Sequence, residues 1–159
     1  ADALLSVDYL CSRPDVDPSR VVIAGFSLGG IVGFYSFAVD PRVAAAVIFC
    51  GGVGSVRELV RMGNTRAHSA YYYVPGLLER GLDHPSLVDA LAPRPLFVCG
   101  ASDDVCMPVS GYRQFCAAAS QSYAARGARE EFGALLEEGP HRFTRQAFET
   151  AFGWLESRL

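Results

Sequence analysis

Long runs of like charge are missing from this sequence: 14 basic and 17 acidic residues leave a formal net charge of −3, spread along the chain. Neither the electrostatic footprint of a nucleic-acid binder nor that of a membrane-surface protein is present, so the expected partner is a small molecule. No apolar stretch is long enough to cross a bilayer, no signal peptide opens the chain, and no internal repeat or low-complexity tract interrupts it. The five cysteines, Cys11, Cys50, Cys99, Cys106 and Cys116, are odd in number and scattered through mostly apolar surroundings. This argues against a disulfide framework or a zinc site and makes a reducing compartment, the cytoplasm by default, the expectation. Carboxylates and histidines show no metal-ligand spacing, and neither metal nor cofactor is expected.

What remains is a chain of 159 residues, half of them hydrophobic, enough to bury the core of one domain. In residues 1–13, Ala3, Val7 and Leu10 recur at helical spacing with Leu4 and Cys11 beside them, until Pro14 ends the pattern. Residues 15–20 (DVDPSR) form a turn. The run Val21-Val22-Ile23-Ala24 that follows is short, β-branched and uninterrupted, as in a strand covered on both faces. Residues 43–50 and 95–100 read as two further buried strands and 132–138 as a weaker fourth. Helical patterns occupy residues 28–40, 109–127 and 144–159, the last placing Phe148, Ala151, Phe152 and Leu155 on one face. Gly29, Gly30 and Gly33 each weaken the helix at 28–40 by about 1 kcal/mol relative to alanine, which close approach to the sheet would offset. Alternation of this kind predicts an α/β fold with about four mostly parallel strands and right-handed crossovers. Residues 53–93 are too long for an ordinary connection and read as a lid-like excursion over one end of the sheet.

The chemistry centres on Gly25-Phe26-Ser27-Leu28-Gly29, a G-x-S-x-G pattern that follows a strand and opens a helix. There the glycines permit a sharp turn that lifts the Ser27 hydroxyl clear, and the Leu28 amide faces a developing oxyanion. A serine needs a base, and of three histidines His141 lies between the last strand and the final helix, at the sheet edge that carries Ser27. His68 and His84 fall in the excursion and read as surface or lid residues. The loop after the third strand offers Asp103 and Asp104, one of which should reach His141 and orient it. Phe26 and the tyrosines Tyr71, Tyr72 and Tyr73 are candidates for a substrate pocket, with packing of the excursion against the core as the other reading of the tyrosines.

Three segments, VDPSRVVIAGFSLGG, LAPRPLFVCGASDD and GPHRF, together closely resemble the α/β-hydrolase superfamily, in particular its acetyl xylan esterase, cephalosporin deacetylase and dienelactone-hydrolase-like branch. The order Ser, Asp, His is that of the superfamily. The resemblance implies a serine esterase acting on short acyl esters, acetyl groups on sugars among them, through Ser27, His141 and an acid. A glycine three residues before the acid and a proline shortly after it favour Asp103, while another variant of the pattern selects Asp104. A prolyl-oligopeptidase-type peptidase, or a truncated inactive fold kept for binding or assembly, stands as the alternative. Family members also carry several strands and an oxyanion-donating loop ahead of the nucleophile, and neither precedes Ser27 here. Residues 1–159 are therefore expected to be the C-terminal portion of a hydrolase domain. An upstream segment or self-association is expected to complete its sheet and, with it, the oxyanion hole.

Overall fold

The computed structural model describes residues 2–68 and 72–159. Four parallel strands, β1 (Val22–Phe26), β2 (Ala45–Phe49), β3 (Leu96–Ala101) and β4 (Phe132–Glu137), lie side by side in chain order. The helices are α1 (Asp2–Ser12), α2 (Leu28–Val39), α3 (Val56–Arg61), α4 (His84–Leu87), α5 (Val109–Ala125) and α6 (Arg145–Glu156). A sheet that always advances in one direction through crossovers of one hand places its crossover helices on one face. Accordingly α2 and α5 share a core with Ala46, Ile48, Leu96 and Val98, and α1 adds Val7. The opposite face, Ala45, Val47, Phe49, Phe97 and Cys99, packs against α6. Side-chain alternation within β2 and β3 thus feeds two cores, which is why both sequences are apolar without a break.

Expected and observed elements differ in two informative places. β1 is not covered on both faces: Ala24 and Phe26 are exposed, because β1 is an edge strand among the described residues. On α6 the buried ridge is Ala147, Ala151 and Leu155, spaced by four, while Phe148 sits on the flank at 45% exposure. Small residues on that ridge let the helix lie close to the sheet, and the larger phenylalanines fit only at its margin.

Close approach also explains two glycines around the first crossover. A Cβ on Gly25 would lie 2.1 Å from the Gly29 carbonyl oxygen, and one on Gly30 would lie 3.1 Å from the Phe49 carbonyl oxygen. Helix α2 therefore starts pressed against the ends of β1 and β2. Its far end is closed by Arg94, whose guanidinium donates to the carbonyls of Phe37 (2.7 Å) and Val43 (2.9 Å) and lies 4.0 Å from the centre of the Phe37 ring.

The excursion between β2 and β3 is pinned by one carboxylate. Asp83 accepts from the Ser55 hydroxyl at 2.7 Å, the Val56 amide at 2.8 Å, the Arg57 amide at 3.2 Å and its neighbour His84's amide at 2.7 Å. It caps α3 and α4 together, satisfying amides that helix geometry leaves without partners. No helix among the described residues is long and apolar enough to cross a membrane.

Candidate active site

Three strand ends deliver three side chains to one point, as expected where the carboxyl ends of parallel strands converge. After β1 the chain turns at Ser27 with φ 55° and ψ −118°. A non-glycine residue held there stores about 1–3 kcal/mol of backbone strain. The strain is held by the Ser27 amide, which donates to the carbonyls of Phe49 at 3.1 Å and Cys50 at 3.0 Å. The Ser27 side chain is left free of any helix-capping bond, and its Oγ lies 2.9 Å from Nε2 of His141 in the loop after β4. Leu28 opens α2, so its amide belongs to the first turn, where no intrahelical acceptor exists.

The other imidazole nitrogen, Nδ1, lies 2.9 Å from Oδ2 of Asp104 in the loop after β3. Oδ1 of the same carboxylate accepts from the amides of Cys106 at 2.7 Å and Met107 at 3.1 Å. Asp104 is 5% exposed, so each of its oxygens faces a donor in a nearly closed site. The Phe26 ring packs over the imidazole with centroids 4.8 Å apart.

The resemblance favoured Asp103; the structure puts Asp104 against His141 instead. The Ser102 and Asp103 amides bond to the carbonyls of Glu137 and Gly139, which carries a strand-like pattern one residue beyond β3 and turns the Asp103 side chain out to solvent. Only at Asp104 does the chain fold back, its amide reaching the Ala101 carbonyl at 3.4 Å. A signal lay in the residues that follow: an aspartate whose carboxylate takes the amides two and three residues on is a local turn motif.

A cavity of about 200 Å³ opens at the serine, lined by Ser27, Leu28, Ala67, His68, Tyr72 and Cys106. Of the pocket candidates, Tyr72 belongs to it. Phe26 does not, because it faces a separate apolar groove of about 310 Å³ with Phe49, Phe143, Phe148 and Phe152. Tyr73 does not either: it turns to a hollow formed with Val56, Val60 and Leu77, and its hydroxyl donates to the Thr65 carbonyl at 3.1 Å. Tyr71 lies outside the described residues.

The two histidines of the excursion are not surface groups. His68 stacks on Tyr72 with ring centroids 3.9 Å apart, and its Nε2–H donates to the Cys106 carbonyl. Burial holds its pKa below the usual histidine value, which favours the neutral ring. His84 is fully buried, 3.0 Å from the Tyr35 hydroxyl, and burial pushes its pKa down to about 4. Its Nδ1 and the Tyr72 hydroxyl have no hydrogen-bond partner among the described residues. Burial and the Asp104 charge push the Cys106 thiol up, so it is protonated at neutral pH.

Residues 1–76 match the dienelactone hydrolase family. The chain is 30% identical over 150 residues to the "Putative hydrolase YtaP" of Bacillus subtilis (strain 168), covering 94% of this chain and 48% of that protein. It is 26% identical over 111 residues to the carbohydrate esterase MZ0003 of an unknown prokaryotic organism, covering 62% of this chain and 26% of that one. Among solved structures, a glucuronoyl esterase from Solibacter usitatus superposes with a TM-score of 0.80 at 20% identity over 99% of this chain and 47% of that one. A family 15 carbohydrate esterase, the glucuronoyl esterase from Caldicellulosiruptor kristjansonii, gives 0.78 at 19% identity over 99% and 48%. The chain therefore spans about half the length of YtaP and of these glucuronoyl esterases, and the structural likenesses establish the fold. Taken with the four-stranded parallel sheet and the strand–turn–helix around Ser27, these likenesses show that the chain has the fold of α/β-hydrolases, and its first 76 residues are similar to the dienelactone hydrolase family.

Proposed function

We propose that this chain carries the catalytic triad of a serine esterase, with Ser27 as nucleophile, His141 as general base and acid, and Asp104 as the residue that orients the imidazole. The observation that carries the reading is the continuous chain of contacts from Ser27 Oγ through both nitrogens of His141 to Oδ2 of Asp104. Asp104 fixes the proton on Nδ1, which leaves Nε2 with its lone pair toward the serine. As Ser27 Oγ attacks an ester carbonyl, its proton passes to Nε2, and the imidazolium that forms is stabilised by Asp104. The Leu28 amide donates to the tetrahedral oxyanion. Collapse breaks the acyl–oxygen bond, Nε2 returns the proton to the departing alcohol, and water repeats the sequence on the acyl-enzyme.

The substrates proposed are short acyl esters, acetyl esters of carbohydrates first among them. A cavity of about 200 Å³ at Ser27 suits a small acyl group, and the named carbohydrate esterase among the relatives supports the sugar alcohol. Within the proposed mechanism the Leu28 amide is one oxyanion donor, and esterases of this kind use two. The outer edge of β1 is unpaired among the described residues, with Phe26 of that strand exposed. We assign to that edge a further strand, from an upstream segment of the same polypeptide or from a second copy, whose connecting loop adds the second donor. Hydrolysis of a chromogenic acetate ester by this chain, run beside Ser27→Ala, tests the reading. Activity lost in the variant supports it, and equal rates in both contradict an esterase built on Ser27.

A further inference from the structure

The candidate site contains a third kind of donor that the proposed mechanism does not use. The Asp104 carboxylate, the Cys106 thiol and one imidazole nitrogen of His141 lie within 4.8 Å of one another. Linear spacing could not reveal this cluster, because Asp104 and His141 come from loops 37 residues apart. The nitrogen on the Asp104 side is Nδ1, since Nε2 faces Ser27. The neighbouring backbone packs closely beside it. A methyl group added at Gly51 would sit 2.8 Å from Cε1 and 3.3 Å from Nδ1 of His141, and 3.4 Å from Cβ of Cys106. Because residue 51 is glycine, the imidazole edge and Cys106 both lie close against its backbone.

We propose that Asp104, Cys106 and His141 form an inhibitory site for a thiophilic divalent cation, with Zn²⁺ as the best-fitting ion. The donor set is one sulfur, one nitrogen and one carboxylate oxygen, the mixture that zinc accepts and that magnesium or calcium does not favour. Three protein ligands leave a fourth position for water. In a tetrahedral zinc site donors stand about 3.5 Å apart, so the Cys106 sulfur needs to approach by up to about 1 Å while the Nδ1–Oδ2 pair opens from 2.9 Å.

The inhibitory consequence follows from where the proton goes. Binding replaces the thiol S–H bond by an S–Zn bond and releases that proton to solvent. Coordination through Nδ1 uses the lone pair that appears when the Nδ1 proton leaves to solvent, and Nε2 takes up one proton from solvent in exchange, so the ring stays neutral as the other tautomer. Nε2–H then faces Ser27 Oγ as a donor and no longer accepts the serine proton. Asp104 is drawn from orienting the ring to ligating the ion. The metal therefore switches the tautomer that general-base catalysis requires, without touching Ser27.

The inhibition rests on the reading of Ser27 and His141 above; the binding does not, which allows the two to be tested apart. Co²⁺ is titrated into the reduced chain and into Ser27→Ala, Cys106→Ser and His141→Gln, with zinc added as competitor. The expected result is a thiolate-to-cobalt charge-transfer band in the parent and in Ser27→Ala that zinc displaces, with the band absent from Cys106→Ser. Loss of a direct ligand weakens the ion by more than the roughly 10- to 100-fold that loss of an outer hydrogen-bond partner costs, so His141→Gln needs far more cobalt. In the unsubstituted chain, zinc moves the ¹⁵N resonance of His141 Nδ1 and places the remaining proton on Nε2. Ester hydrolysis by the parent falls with zinc and returns with a chelator. A parent without the band, a band that survives Cys106→Ser, or an unmoved Nδ1 resonance overturns the site. A cobalt band through Cys106 in a chain with no Ser27-dependent esterase activity would leave the metal site standing and remove the catalytic reading.

Discussion

The Nδ1 atom of His141 lies 2.9 Å from Oδ2 of Asp104, while the adjacent Asp103 side chain faces solvent. Two neighbouring carboxylates therefore separate by function. Asp104→Asn removes the acceptor that fixes the tautomer, and ester turnover is expected to fall by about 10,000-fold. Asp103→Asn, a surface change, should stay within about twofold of the parent. Equal losses in the two variants would remove Asp104 from the proposed role.

Asp83 holds four donors from two stretches of the excursion. Asp83→Ala leaves the Ser55 hydroxyl hydrogen and the Val56 amide buried without an acceptor, at about 1–3 kcal/mol each. A drop of about 3 kcal/mol in urea unfolding is expected. A loss below about 0.5 kcal/mol would mean that the excursion is held by packing alone.

His84 gives a pH signature. Its folded pKa is depressed to about 4 by burial, so the unfolded chain takes up its proton first as pH falls. The stability of the neutral buried form is complete above about pH 6.5 and is lost progressively down to about pH 4. The full shift corresponds to stability on the order of 3 kcal/mol. His84→Phe removes this titration, so the stability difference between parent and variant should shift in the variant's favour as pH falls through that range. A difference independent of pH would contradict a buried neutral His84.

The groove beside β1 makes a claim about association. With the β1 edge unpaired and Phe148 at 45% exposure, the isolated chain is expected to self-associate as its concentration rises. Phe148→Glu should shift sedimentation toward monomer. A parent that stays monomeric at high concentration would argue against a second copy at this edge.

Much of this architecture was legible because the residues carry it locally. The unbroken apolar runs of β2 and β3 announced strands buried on both faces, and a serine between glycines after such a run announced the turn at Ser27. What was not legible depended on tertiary position. The sequence of β1 is as apolar as a central strand, and its unpaired edge was legible only from the strands missing ahead of Ser27, not from its own residues. Phe148 and Ala147 both fit a helical face, and packing distance to the sheet decided which was buried. Asp103 and Asp104 are one residue apart, and the choice turned on where the β3–β4 bonding pattern ends. His68 and His84 sit in a polar stretch, yet the excursion folds back, placing His68 at the Ser27 cavity and His84 in the core.

The most direct test of the central claim, that Ser27 is an activated nucleophile, is reaction with an organophosphonate ester followed by mass spectrometry of the modified peptide. A serine without a base is inert to such reagents. The account predicts a single phosphonyl adduct on Ser27, formed in the parent and absent from His141→Gln. An unmodified Ser27, or labelling that His141→Gln leaves unchanged, would contradict it.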